Sequence, residues 1–184
     1  MTTAILVGGQ AKRMGGTPKG LMHQEGVTIL ERLCRLCQDG PIFLVGHPQG
    51  AYANQGYPIF ADIISERGAP GAVLTALQMA RSDWVRILAC DLPTMDGITI
   101  ESLRPHEGSD VVLYRVDGKA QYLVSLWRRQ CLPILSQLLK SEAPGFGHIL
   151  KSLRVTWLNS VGETAFCNMN TPQEALRAGY VYEE

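Results

Sequence analysis

Short apolar runs rich in β-branched residues alternate with stretches of helical periodicity along most of this chain. The strand-like runs are TAILVGG, IFLVG, PIFAD, WVRILACDLP, DVVLYRV, QYLVSLW and RVTWL. Such alternation is typical of βα units, in which a helix connects one strand to the next parallel strand. The sequence therefore predicts an α/β fold with a mostly parallel sheet.

The helices of this pattern have recognisable boundaries. Thr28 and Glu31 form a T-x-x-E capping box, which predicts a helix running to about Leu36. Further helices are predicted at 72–82, at roughly 130–139, and after Thr171 as N-cap with Pro172 at the first position. The segment SEAPGFGHIL is predicted to be a loop, and FCNMN the end of a strand that leads into the last helix.

Length and charge limit the classes of protein and partner. With 184 residues, of which 46% are hydrophobic, residues 1–184 are expected to form one domain. Lys plus Arg and Asp plus Glu both number 17, so no overall field attracts nucleic acid or an anionic membrane, and neither is expected as a partner. The chain lacks a long apolar run and a signal-peptide pattern, which predicts a cytoplasmic protein.

The five cysteines are interpreted as reduced thiols. Their number is odd and they are scattered through apolar segments, as a reducing compartment permits. Cys34 and Cys37 form a C-x-x-C within a predicted helix, but no second Cys/His pair has metal-ligand spacing. We therefore expect two buried or half-buried helical thiols there, and no metal site.

Three polar or glycine-rich clusters follow predicted strands. They are LVGGQAKRMGGTPKG after the first strand, CDLP at 90–93, and NMNTP at 168–172. Because ligands of open α/β sheets bind at the carboxyl ends of the strands, these clusters should meet at one edge of the sheet.

The glycine-rich segment has the composition of a phosphate-binding loop. Its glycines leave backbone N–H groups open to an anion, and its basic side chains can neutralise phosphate charge: Gly8, Gly9, Gly15, Gly16, Lys12, Arg13 and Lys19. It matches neither the Walker A pattern nor G-x-G-x-x-G, so a nucleoside triphosphate bound in another way is indicated. The alternative is a tight connection between strand and helix, which the composition favours less than phosphate binding.

Carboxylates and amides at the other strand ends suit a hard cation. Asp91 follows an apolar strand directly, where its carboxylate could hold Mg²⁺, and Asp62 has the same position after PIFA. Asn168 and Asn170 would face one ligand if they lie on a strand. Each of these residues could instead cap a turn or a helix. Apart from His148, in the glycine-rich loop PGFGH, the histidines are expected to be surface or loop residues, and no nucleophilic triad is apparent.

Taken in order, LVGGQAKRMGGTPKGLM, ADIISERGAPGAVLTAL, ILACDLP and FCNMNTPQE make the chain resemble nucleotidyltransferases of the molybdenum cofactor guanylyltransferase type, the family that joins GMP to molybdopterin. DGKAQYLVSLW, followed by LPILSQLL, is similar to the molybdopterin branch. The resemblance covers nearly the whole chain. It implies a single-domain, three-layer Rossmann-like nucleotidyltransferase fold with a mostly parallel central sheet.

The resemblance also implies roles for individual residues. It implies a nucleoside site with Leu6, Val7, Gly8 and Asp62, phosphate contacts from Arg13 and Lys19, and a Mg²⁺ ligand in Asp91. Gly9, Asn168 and Asn170 are further candidate binding residues. The implied reaction is attack by an acceptor phosphate on the α-phosphorus of GTP, with release of pyrophosphate. Proteins that deliver the cofactor or act as molybdoenzyme chaperones are implied partners.

The chain departs from the family pattern at three positions, which leaves alternatives open. Pro18 precedes the motif lysine in place of an acidic residue, Gly46 stands where an asparagine is usual, and Tyr122 replaces a proline. The alternatives are another nucleotide and acceptor pair, such as CTP with molybdopterin or a nucleotide with a sugar or alditol phosphate, and a non-catalytic nucleotide-binding relative.

Overall fold

The computed structural model of the chain describes residues 1–8, 17–141, 143–159, 164–169 and 171–182. The strands within these ranges are β1 Thr2–Leu6, β2 His23–Gln24, β3 Val27–Thr28, β4 Ile42–Val45, β5 Ile59–Phe60, β6 Trp84–Ala89, β7 Val111–Val116, β8 Lys119–Arg128 and β9 Val155–Asn159. The α-helices are α1 Ile29–Leu36, α2 Gly68–Met79, α3 Gly97–Ser102, α4 Leu132–Ser141, α5 Phe146–Ile149 and α6 Pro172–Arg177. Short 3-10 helices occur at Lys19–Leu21, Arg129–Cys131, Leu150–Ser152 and Thr164–Phe166.

A seven-stranded sheet forms the centre of the fold, in the order β5-β4-β1-β6-β8-β7-β9. Every neighbouring pair is parallel except β6–β8 and β8–β7, so the expectation of a mostly parallel sheet is confirmed. β7 and β8 form a hairpin whose two turn residues, Asp117 and Gly118, have φ of 48° and 75°. Positive φ at both positions is the requirement of a tight I′ turn.

Helices cover both faces of the sheet and bury two separate apolar clusters. Ala4 and Leu6 of β1 join the cluster built with α2, α4 and α5. Ile5 and Val7 face the other side, where α1, α3 and α6 contribute. This alternation follows from the period of two along a strand. The three-layer arrangement predicted for the chain is therefore present.

Helix α1 begins where the capping box predicts it. The Thr28 side chain accepts from Glu31 N, and the Glu31 side chain accepts from Thr28 N. Cys34 and Cys37, at its end, are both buried, and burial raises the pKa of each thiol. The prediction of a buried thiol within a helix is confirmed for Cys34. Cys37 lies just beyond the helix, as its C-cap residue.

One predicted helix begins earlier than expected, and one predicted loop contains a helix. α2 begins at Gly68, earlier than the predicted 72, and includes Pro70 in its first turn. Proline is tolerated there because the first N–H groups of a helix have no partner within it. The predicted loop SEAPGFGHIL contains α5, which buries Phe146 and Ile149, three residues apart on one face.

The strand end predicted in FCNMN is wrong. The chain forms a 3-10 helix at Thr164–Phe166 and continues without regular structure through 167–169. Phe166 and Met169 are buried. Buried positions three residues apart do not fit the period of two that a strand requires.

A hairpin of two strands and one helix were not anticipated. A short β2–β3 hairpin precedes α1, and α3 begins after Asp96, whose side chain accepts from Thr99 N at 2.7 Å. Among the described residues, no helix combines the length and apolar character needed to cross a membrane.

Candidate functional site

A cavity of about 740 Å³ opens at the carboxyl ends of β1, β4 and β6. Its walls include every described residue among the predicted site residues: Leu6, Val7, Gly8, Lys19, Asp62, Asp91 and Asn168. Gly9, Arg13 and Asn170 lie outside the described residues. The expected convergence of the strand ends is therefore found for the residues that can be compared, and the role of each residue stays a prediction.

The end of β1 is held closely against the end of β4. Val7 N and Gly8 N both donate to Val45 O, at 2.9 and 3.1 Å. A Cβ atom at Gly46 would lie 2.8 Å from Val7 Cγ2 and 3.1 Å from Gly8 N. The cavity wall thus requires glycine at 46, one of the positions where the chain departs from the family pattern.

Lys19 and Asp91 are in direct contact. Lys19 begins a 3-10 helix at the end of the glycine-rich segment, and its Nζ donates to Asp91 Oδ2 at 3.0 Å. The two side chains are 18% and 19% exposed, so solvent reaches the pair from the cavity. A residue predicted to bind phosphate therefore neutralises a residue predicted to bind a cation.

Asn168 is brought to the same place by a backbone bond. Met169 N donates to Asp91 O at 3.1 Å, so the segment after the last 3-10 helix lies against the end of β6. The exposed Asn168 next to it lines the cavity beside Asp91. The period-two argument for Asn168 was wrong, but its proximity to Asp91 was expected correctly.

Asp62 lies at the mouth of the cavity, on the loop between β5 and α2. Asp62 as a whole is exposed to solvent. The surrounding protein nevertheless removes part of the water around its carboxyl group, and this desolvation raises the pKa of Asp62. The loop is fixed at the next residue, where Ile63 N donates to Thr75 Oγ1 at 3.1 Å. The carboxylate is therefore available to accept hydrogen bonds from a ligand.

The opposite wall is formed by β8 and α5. β8 contributes residues 120–124, and α5 contributes Phe146, whose ring stacks on that of Tyr122 with centroids 5.0 Å apart. His148, expected as a possible acceptor contact, is exposed on α5, and Phe146 takes the position in the wall. His47, expected to be an ordinary loop residue, lines the cavity.

Tyr52 is a cavity residue that the sequence reasoning missed. It lies in the glycine-rich connection between β4 and β5, its side chain is buried, and its hydroxyl accepts from Gly20 N at 2.9 Å. The hydroxyl also lies 3.8 Å from Cys90 Sγ. The surrounding HPQGAYANQGY has neither strand nor helix periodicity, so only its position between two strand ends could have drawn attention to it.

The donor set at the end of β6 fits Mg²⁺. Within the described ranges, no three His, Cys, Asp or Glu residues come together as a metal cluster. Mg²⁺ is commonly held by one or two carboxylates with substrate phosphates and water completing its shell. Asp91 and Asn168, which line the same cavity, offer a carboxylate and an amide oxygen of this kind.

Residues 3–156 match the family model described as the MobA-like NTP transferase domain. The chain belongs to this family. The molybdenum cofactor guanylyltransferase of Vibrio cholerae is 30% identical over 188 residues, covering 97% of this chain and 91% of that protein. The molybdenum cofactor guanylyltransferase of Serratia proteamaculans is 29% identical over 186 residues, covering 96% of this chain and 93% of that protein.

A protein of known crystal structure shares the fold. The molybdopterin-guanine dinucleotide biosynthesis protein A from Archaeoglobus fulgidus is similar with a TM-score of 0.80, covering 97% of both chains at 20% identity. The family and the Rossmann-like fold expected from the motifs are thus confirmed. The chain is a nucleotidyltransferase by family.

Proposed function

We propose that this protein transfers GMP from GTP to molybdopterin, releases pyrophosphate, and so makes the guanine dinucleotide form of the molybdenum cofactor. The observation that carries the proposal is the contact between Lys19 Nζ and Asp91 Oδ2 inside the cavity at the strand ends. Relatives that align with almost the whole chain are named molybdenum cofactor guanylyltransferases, which supports the choice of nucleotide and acceptor.

The nucleoside would lie along the end of β1. Hydrogen bonds to Val45 O already hold Val7 and Gly8, so this wall is rigid before a ligand binds. A rigid wall lowers the entropic cost of binding. Asp62, at the mouth, would accept hydrogen bonds from the nucleoside, and Leu6 would pack against its apolar parts.

The phosphates would lie between the glycine-rich segment and the end of β6. Lys19 would exchange its contact with Asp91 for the phosphates, and Arg13 would add a further positive charge. Asp91, assisted by Asn168, would hold Mg²⁺, which when bound neutralises phosphate charge and favours the departure of pyrophosphate. These side chains stabilise charge without forming a covalent intermediate.

The acceptor would occupy the wall formed by β8 and α5, beside Asn168. A phosphate oxygen of the acceptor forms a bond to the α-phosphorus of GTP. The bond from the α-phosphorus to the oxygen that bridges it to the β-phosphorus breaks, and pyrophosphate leaves with that oxygen. The attacking oxygen is already ionised, so no general base is needed. The main task of the protein is to align two anionic reactants and neutralise their charge.

Release of pyrophosphate from GTP by the purified chain, with Mg²⁺ and molybdopterin, tests the proposal. Asp91→Asn should abolish metal-dependent release, while Asp83→Asn, an exposed residue just before the start of the same strand, should leave it unchanged. Thermal stabilisation by GTP, CTP, ATP, UTP and dTTP identifies the base, since a ligand at 100 times its Kd stabilises by about 2.7 kcal/mol.

The outcomes of that test separate the alternatives. Selective stabilisation by CTP, UTP or dTTP would contradict the choice of guanine and point to another acceptor pair. Stabilisation without pyrophosphate release from any nucleotide would indicate a non-catalytic binder. A cytoplasmic location and partners that deliver the oxidation-prone acceptor stay predictions.

A further inference from the structure

We infer that Tyr52 is a positioning residue of the transfer reaction, which sets Lys19 and Asp91 at their working separation by binding the residue next to each. This inference rests on the proposed function, because it assigns those two side chains to phosphate and cation. Tyr52 itself needs no contact with a reacting atom.

The contacts of the hydroxyl join three segments that are remote in sequence. Gly20 N, directly after Lys19, donates to Tyr52 Oη at 2.9 Å. Cys90 Sγ, directly before Asp91, lies 3.8 Å from the same oxygen. One oxygen atom therefore links the backbone that carries Lys19 to the strand end that carries Asp91.

The segments around these contacts pack closely against one another at Gly20. A Cβ atom at Gly20 would lie 3.1 Å from Tyr52 Cε1, from Tyr52 Oη and from Cys90 Cβ. Such distances are tighter than ordinary van der Waals contact, so a side chain at 20 would have to displace Tyr52 or Cys90 by a few tenths of an ångström. A change in the position of the Tyr52 ring would therefore be transmitted to both neighbours.

The Tyr52 hydroxyl is also uncharged, which suits a positioning role. Burial raises the pKa of Tyr52 far above its usual range, so the hydroxyl keeps its proton at neutral pH. An uncharged hydroxyl between Gly20 N and Cys90 Sγ competes for neither phosphate nor cation. Tyr52 can thus orient the two charged side chains while leaving their charges available to ligands.

The test is the kinetics of Tyr52→Phe with GTP, Mg²⁺ and molybdopterin. Loss of the hydroxyl leaves Gly20 N without its acceptor and frees the turn that carries Lys19. Because misplacement by about 1 Å can cost about 100-fold, we expect kcat to fall by at least about 10-fold while KM for GTP changes by less than about 3-fold. The assay temperature is kept well below the measured Tm, so lost stability alone would not lower kcat.

Tyr57→Phe is the matched control. The Tyr57 hydroxyl also bonds to a cysteine, Cys34, but it lies outside the cavity. We expect its kcat to equal that of the wild type. Gly20→Ala is the second variant: its Cβ would push against Tyr52 and Cys90, and it should reproduce the fall in kcat even if Tyr52→Phe folds poorly.

Three results would overturn the inference. The first is a Tyr52→Phe protein whose kcat lies within about 2-fold of the wild type. The second is an equal fall in Tyr57→Phe, which would show a general effect of losing a tyrosine hydroxyl. The third is a rise in KM alone, which would make Tyr52 a simple wall contact. A wild-type protein that turns over no nucleotide would instead refute the proposed function, and the inference with it.

Discussion

Replacing Lys19 by methionine should raise the affinity of the nucleotide-free protein for Mn²⁺, a cation that prefers the same oxygen ligands as Mg²⁺. In the ligand-free chain, Lys19 Nζ lies 3.0 Å from Asp91 Oδ2, so a cation that binds this carboxylate must compete with the ammonium group. Methionine keeps much of the length of the side chain and removes the charge. Asp91 then becomes available without an exchange of partners.

The size of the effect follows from the separation of the charges. At 3.0 Å, two unit charges attract by about 1.4 kcal/mol at the dielectric constant of water and by about 5.5 kcal/mol at a dielectric constant of about 20. Solvent reaches both side chains, and the pair also costs side-chain entropy, so the net attraction is closer to the lower figure, which we use. An energy of about 1.4 kcal/mol corresponds to an affinity about 10-fold higher.

Titration of free Mn²⁺ by electron paramagnetic resonance measures this affinity directly. Lys151→Met, at an exposed lysine of the 3-10 helix Leu150–Ser152, is the control and should match the wild type. With GTP present the order should reverse, because Lys19 then supports the phosphates. Unchanged or weaker binding of Mn²⁺ to the nucleotide-free variant would refute the competition between Lys19 and the cation.

Two further substitutions and a pH scan test other parts of the structure. Gly46→Ala should lower the free energy of unfolding in urea by about 2 kcal/mol, because its Cβ would meet Val7 Cγ2 at 2.8 Å. It should also reduce stabilisation by GTP. Wild-type values of the unfolding free energy and of the stabilisation by GTP would contradict the tight wall. Asp110→Asn should lower Tm by about 4–8 °C at pH 7, since the carboxylate accepts from Arg154 N, Nε and Nη2. The Arg154 guanidinium holds the pKa of Asp110 well below its usual range, so this stabilisation is complete above about pH 4 and is lost as pH falls further. A scan of Tm between pH 7 and 2 should thus show the wild type approaching the variant, and a constant difference would refute the cause.

The sequence predicts best those local elements whose hydrogen bonds join residues close together in the chain. Thr28 and Glu31 exchange hydrogen bonds within one turn, and α1 begins where their T-x-x-E pattern predicts it. The place of β8 in the sheet could not be predicted in the same way. QYLVSLW has the pattern of a strand, but its insertion between β6 and β7 depends on which edge of the sheet remains free.

The candidate site also has residues that the sequence predicts and contacts that it does not. Lys19 and Asp91 could be predicted because each follows a strand or a glycine-rich turn where ligands of α/β sheets bind. Their direct contact could not, because it joins residues 72 positions apart. Tyr52 carries no local pattern, and its two partners are 32 and 38 positions away. Contacts of this kind are decided by packing of the whole sheet.

The position of β1 also affects how the chain folds during synthesis. β1 is buried along its whole length, yet its neighbours come much later in the chain: Thr3 pairs with Ile42, and Thr2 with Val85. At about 5–20 residues per second, a ribosome makes β1 roughly 4–16 s before β6. During that interval an apolar strand lacks one of its two neighbours and is exposed to association with other chains. The speed of translation through the first 85 residues should therefore influence the soluble yield of this protein more than the speed through the rest.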